Sequence, residues 1–105
     1  MNAIEHEILH KLKALLQKRL EVRAVALFGS RARGDAEPDS DMDVLVVVET
    51  LDREVDEYIS QCAWEAGFEH GIVVVPVAFS RYEWESDPER VSLLSLAIRY
   101  EGIFV

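Results

Sequence analysis

The run Phe28-Gly29-Ser30-Arg31-Ala32-Arg33-Gly34, with ten residues separating Ser30 from the pair in Asp41-Met42-Asp43, decides how the whole chain is read. Ahead of it, Val22–Phe28 predicts a short buried strand that ends at Gly29. Residues 30–40 are polar and carry Gly34, Asp35, Pro38 and Asp39, which predicts one turn of helix followed by a loop. Behind it, Met42–Val48 is nearly all apolar and predicts a central strand.

Each part of this run has a chemical rationale. Glycine at position 29 allows a turn tight enough for backbone to approach a ligand. Ser30 then opens a helical turn whose free amides and positive dipole end face any anion, and its hydroxyl adds a donor. Those features describe a phosphate cradle. Asp41 and Asp43 stand two apart at the start of a strand, so their side chains leave the same face. Two neighbouring carboxylates in an apolar sheet repel each other, and burial disfavours their ionisation. A divalent cation resolves that conflict. Mg²⁺ suits the arrangement, because it takes one or two carboxylates and completes its shell with phosphate oxygens and water.

The flanks supply a helix on each side and a third strand. Asn2 and Glu5 form a capping-box pattern, and Ile4, Ile8, Leu12, Leu15 and Leu16 then share a face. That helix is expected to reach about Leu20, with Glu5, His6, Lys13 and Lys18 largely off the apolar face. Leu51, Val55, Tyr58, Ile59, Cys62 and Ala66 mark a second helix, closed by Gly67. Residues 72–79 predict a third strand, which Pro76 confines to an edge or a bulge. Asp87-Pro88 predicts the N-cap and first position of a last helix, with Val91, Leu94 and Ile98 inward and an end near Gly102. The apolar tail Ile103-Phe104-Val105 is expected to add a short strand or to sit in an oligomer interface.

Composition narrows the partners. The chain has 105 residues, one domain's worth over 1–105, and half of them are hydrophobic, which excludes intrinsic disorder. Its net charge is −9, from 20 acidic and 11 basic residues, so it should repel duplex nucleic acid. Arg31 and Arg33 are local cations amid acids, suited to a small phosphorylated ligand. No apolar run is long enough for a membrane. A single cysteine, Cys62, is compatible with a reducing cytoplasm, the compartment we assign, and its helical pattern marks it as a buried apolar residue.

Other chemically capable residues have simpler readings. His6 and His10 lie one helical turn apart with no third ligand evident, so they read as exposed helix residues. His70 reads as a loop residue beside Glu69. Trp64, Trp84, Tyr58 and Tyr82 are expected to pack core edges, and residues 54–57 to form a solvated helix face.

The motif of Gly-Ser, ten residues, then Asp-x-Asp leading into an apolar strand resembles the signature of the DNA polymerase β-type nucleotidyltransferase superfamily. The wording Gly29-Ser30-Arg31-Ala32-Arg33-Gly34-Asp35 with Ser40-Asp41-Met42-Asp43-Val44, and the Glu101-Gly102 ending, resembles its small branch, the minimal nucleotidyltransferases. The resemblance implies an α/β (α+β) fold, a small mixed sheet with helices packed mainly on one face. It implies that Gly29, Ser30 and Ser40 bind the nucleotide and that Asp41 and Asp43 ligate Mg²⁺. Asp41 and Asp43 would be catalytic, with Arg31 or Arg33 neutralising charge on the transferred group; Arg33 has a second reading as a helix-surface residue paired with Asp35 or Glu37.

The implied reaction is transfer of AMP from ATP to a hydroxyl acceptor. Larger relatives carry a helical domain for the acceptor, which 105 residues leave no room for. Minimal members often accompany a helical HEPN-domain toxin and inactivate it by adding AMP to a tyrosine, so a HEPN-type partner is expected. Homo-oligomerisation is a further expectation. One departure stands out: active members carry a third carboxylate on the strand beside Asp-x-Asp, and residues 72–77 have none, Glu69 and Glu83 lying just outside. That departure favours a second reading, a nucleotide-binding module that neutralises a partner without catalysis. A third reading is a small-molecule nucleotidyltransferase working with a helical subunit.

Overall fold

The computed structural model describes residues 1–86 and 88–105, with the side chains of all of these except 88–92 and 99. In chain order it contains α1 (Ala3–Gln17), β1 (Val22–Phe28), α2 (Ser30–Arg33), β2 (Met42–Val48), α3 (Arg53–Phe68), β3 (Val74–Ser80), α4 (Arg81–Ser86), α5 (Pro88–Glu101) and β4 (Ile103–Phe104). The strands form one mixed sheet in the order β3-β2-β1-β4. β1 is antiparallel to both β2 and β4, whereas β2 and β3 are parallel. The α/β class with a small mixed sheet is therefore the observed one.

Alternation along β1 divides the core. Val25 and Leu27 face α1 and α3, meeting Ile8, Leu12 and Ile59. Ala26 points the other way, with Leu45 and Val47, toward Phe79 and Ile98 and half-buried Trp84. The first cluster is the larger. Each fully buried leucine of α1 contributes about 1.5–3 kcal/mol of apolar burial.

The capping box on α1 is present: the Asn2 side chain accepts from the Glu5 amide at 2.8 Å, and Glu5 Oε1 accepts from the Asn2 amide at 2.9 Å. The inward stripe differs by one position from the expected one. Glu5 is buried at 5% exposure and Ile4 is 44% exposed, because Glu5 has a cationic partner in the interior. The helix ends at Gln17 rather than Leu20, and the amides of Lys18, Arg19 and Leu20 close the last turns on Leu15 and Leu16 carbonyls.

α3 starts from Asp52, whose side chain accepts from the Val55 amide at 2.8 Å. Gly67 does not stop this helix. It is buried inside it, and a Cβ there would strike the Ile72 carbonyl, so its role is to let the returning chain cross the helix end. The turn itself uses Gly71 at φ 64. Trp64 is 63% exposed and packs on the equally exposed Phe68, and Tyr82 is also exposed, so neither Trp64 nor Tyr82 closes the core as expected.

Pro76 lies on β3, an edge strand, where its missing amide leaves the ladder to β2 intact. α4 was not anticipated. Ser80 and Glu83 form its capping box, with Glu83 N donating to Ser80 Oγ at 3.1 Å and Ser80 N to Glu83 Oε1 at 3.2 Å. α5 begins at Pro88; Asp87 and the Val91 side chain, expected as cap and inward residue, lie outside the described residues. Leu94 and Ile98 do turn to the sheet. The tail takes the strand option, as Ile103 and Phe104 pair with Leu27 and Ala26.

Candidate active site

Antiparallel pairing brings the end of β1 beside the start of β2, and Phe28 pairs with Asp43 across the ladder. The next residue, Gly29, turns away at φ 78, ψ −157, a conformation essentially reserved for glycine. A Cβ at residue 29 would overlap the Asp43 carboxylate. Sequence-distant parts of the motif are thus in van der Waals contact, and the glycine is what permits it.

From Gly29 the chain enters the single turn Ser30–Arg33, which Gly34 closes at φ 82 with its amide on the Ser30 carbonyl at 3.0 Å. The amides of Ser30, Arg31 and Ala32 belong to the first turn and have no acceptor within it. Among the described residues the Ser30 hydroxyl makes no hydrogen bond. These donors lie on the residues that follow Gly29, the residue touching Asp43.

Asp41 is exposed just ahead of β2, and Asp43 is half-buried within it. Burial, then the Asp41 charge, raises the Asp43 carboxyl above its ordinary range, with Arg33 partly opposing them. A cation between the two acids would reverse that conflict. Among the described residues no group of three or more His, Cys, Asp or Glu side chains is arranged to hold a metal. Two carboxylates beside a turn with free amides fit a cation that takes its remaining ligands from phosphate and water.

The two arginines separate. Arg31 is 6% exposed and points into the protein, where Nη1 pairs with Glu5 Oε2 at 3.1 Å, Nε donates to the Ser40 carbonyl at 2.9 Å and Nη2 to the Pro38 carbonyl at 2.9 Å. Its donors hold the connecting loop against α1 instead of facing the cradle. Arg33 is exposed beside the site and pairs with Glu101 at 3.1 Å and Asp35 at 3.3 Å. The hydrogen bonds it donates to Glu101, then to Asp35, raise its pKa further. Ser40 is occupied within the loop, its Oγ accepting from the Glu37 amide at 3.0 Å.

Position 75 faces Asp43 on β3, and it holds Val75, not a carboxylate. Glu69 pairs with Lys11 on the surface at 3.8 Å, and Glu83 caps α4. His70 lies 3.3 Å from Glu7. A residue that spacing alone did not assign to the site is Glu101, whose Oε1 accepts from the Gly29 amide at 3.3 Å. An apolar cleft of about 450 Å³ between α3 and β3, lined by Trp64, Phe68 and Pro76 among others, shares no residue with this constellation.

Residues 9–101 match the family model described as a nucleotidyltransferase domain. Two relatives from Methanocaldococcus jannaschii are provisionally named as protein adenylyltransferases. MJ1379 is 48% identical over 40 residues, 38% of this chain and 40% of its own length. MJ0128 is 39% identical over 59 residues, 51% of this chain and 60% of its own. The matched segment thus spans from under half to three fifths of these relatives' length.

Among solved structures, a toxin–antitoxin complex with AMP-PNP superimposes at TM-score 0.64 with 22% identity, over 90% of this chain and 69% of that one. A complex of MNT antitoxin with tri-AMPylated HEPN toxin of Shewanella oneidensis superimposes at 0.59 with 18% identity, over 96% and 70%. At such identities the likeness is one of fold. With the family match running through nearly the entire chain, from the middle of α1 to the last residue of α5, this protein belongs to the nucleotidyltransferase domain family.

Proposed function

We propose that this chain transfers AMP from Mg²⁺-complexed ATP to a hydroxyl of a protein partner, a tyrosine of a helical HEPN-type toxin, in the cytoplasm. The observation that carries the reading is the contact of Gly29 with Asp43, which joins an amide cradle to two neighbouring carboxylates. The names of the relatives as protein adenylyltransferases support AMP as the group, and the complexes of MNT antitoxins with HEPN toxin support the partner.

In this reading Gly29 and Ser30 hold the phosphates through backbone amides and the Ser30 hydroxyl. Asp41 and Asp43 hold Mg²⁺, which when bound neutralises phosphate charge and orients the α-phosphate. Arg33 stabilises the charge that develops on the transferred group, while Arg31 and Ser40 fix the loop that delivers Asp41. The acceptor oxygen forms a bond to the α-phosphorus, the bond between the α- and β-phosphates breaks, and pyrophosphate leaves. With Val75 opposite Asp43, β3 supplies no base, so the hydroxyl proton passes to a group of the partner or to solvent.

Val75 also favours the second reading, a nucleotide-binding module that neutralises its partner by contact alone. Incubation of the chain with Mg²⁺, ATP labelled at the α-phosphate and the product of the neighbouring gene separates the two. Label on the partner, lost with Asp41→Asn and Asp43→Asn, is the expected result. Partner neutralisation that survives both substitutions without label transfer would establish the module instead.

A further inference from the structure

Glu101 reaches the site from the far end of the chain because of how β4 is paired. Leu27 faces Ile103 and Ala26 faces Phe104 in an antiparallel register. Two further steps of that register set Glu101 across from Gly29. At this point α5 has only just ended, and the Gly102 amide still donates to the Ile98 carbonyl at 2.8 Å. A Cβ on Gly102 would strike that carbonyl, so glycine allows the abrupt change from helix to strand. The bond that the ladder would make at Gly29 is made instead by the Glu101 side chain, at 3.3 Å.

The same carboxylate holds Arg33, with Nη1 at 3.2 and 3.1 Å from its two oxygens. Glu101 thus grips both ends of the turn that follows β1: the amide entering it and the guanidinium at its last residue. The contrast with Asp35 is instructive. Asp35 pairs with Arg33 through an exposed carboxylate and meets Ser30 only through its backbone amide, whereas the Glu101 side chain is 19% exposed and sandwiched between strand end and turn.

We infer that Glu101 is a positioning residue for nucleotide binding, fixing the Gly29 turn and aiming Arg33 at the site from the C-terminal end of α5. The inference rests on the nucleotide-binding reading above. Glu101 acts through Gly29 and Arg33; it is not a metal ligand, and its negative charge is neutralised by Arg33 instead of opposing phosphate. An exposed ion pair of this kind would do little for stability, but fixing a glycine turn preorganises every donor on it.

Calorimetric titration of Mg²⁺ with AMP-PNP into the wild type, Glu101→Ala, Glu101→Gln, Arg33→Ala and the Arg33→Ala/Glu101→Ala double variant tests this. Glu101→Ala is expected to weaken binding about tenfold or more, the size of a lost charge-assisted hydrogen bond. Glu101→Gln, which keeps an acceptor for Gly29, should weaken it about threefold. The double variant should bind more tightly than the sum of the single losses implies, because the two residues act as a unit. Glu101→Ala binding at wild-type strength overturns the inference, as does tighter binding, which would make the carboxylate a competitor for the cradle. Additive losses overturn the link to Arg33. If Glu101→Ala does not fold, Glu101→Gln binding like wild type overturns the inference alone. A wild type that binds nothing removes the nucleotide reading itself.

Discussion

The Asp43 carboxylate occupies the space that a side chain at residue 29 would need. Strand pairing creates this relationship, because Phe28 and Asp43 are Cα partners and the chain must leave β1 directly over the acid. Gly29 consequently serves two ends, a backbone conformation at φ 78 and a close approach. Gly29→Ala is expected to cost about 1–3 kcal/mol from backbone strain alone and to displace Asp43. Chemical denaturation and Mg²⁺-nucleotide titration check both effects, and an alanine variant with unchanged stability and affinity would contradict them.

Asp43 carries a conflict that Arg33 relieves only in part. Its carboxyl is pushed up by burial first and by Asp41 second, so the charged form is disfavoured in the folded chain without metal. Asp43→Asn should therefore raise the Tm of the metal-free protein by about a few degrees while abolishing Mg²⁺-dependent nucleotide binding. Thermal melts in the presence of a chelator provide the measurement. A lower Tm for the asparagine variant would show that the carboxylate is satisfied without a cation.

Glu5 and Arg31 form a buried pair whose side chains are 6% and 5% exposed. Removing one partner strands the other, and Arg31→Ala or Glu5→Ala should each cost about 3–5 kcal/mol in urea unfolding. The double variant should lose less than the two single losses combined. If Arg31 worked at the phosphates instead, Arg31→Ala would retain its stability and lose only nucleotide affinity.

Glu49 ties three elements together at the surface, accepting from Arg81 Nε at 2.9 Å and Arg23 Nε at 2.8 Å. Arg81, then Arg23, holds its carboxyl down at about 2. A carboxylate with a depressed folded pKa stabilises the fold above its unfolded value, near the usual 4.3, and that contribution is lost as pH falls toward 2. Glu49→Gln should flatten this acid limb, weakly and less so at high salt because the pair is solvated. A carboxyl titration midpoint near the ordinary glutamate value by NMR would contradict the shift.

Much of this fold is legible locally. β1 and β2 have the boundaries that their apolar runs indicate, and Asn2 with Glu5 caps α1 as the pattern requires. Where reading failed, the cause was usually tertiary. Glu5 belongs inside only because Arg31 meets it there, and Gly67 reads as a helix stop until Ile72 is seen crossing it. α4 is the exception, since Ser80-Arg81-Tyr82-Glu83 is a capping-box sequence in plain view. For the site, Gly29, Ser30, Asp41 and Asp43 could be grouped by spacing. The contact of Glu101 with Gly29 could not, because it depends on the register of a two-residue strand.

In the proposed function the cradle after Gly29, Asp43 of β2 and Asp41 just ahead of it together hold a metal-complexed triphosphate. Isothermal titration of ATP into the wild-type chain, with Mg²⁺ and then with a chelator, tests it most directly. Binding is expected to require Mg²⁺ and to disappear in Asp41→Asn and Asp43→Asn. Binding of equal strength without the metal, or untouched by either substitution, would contradict it.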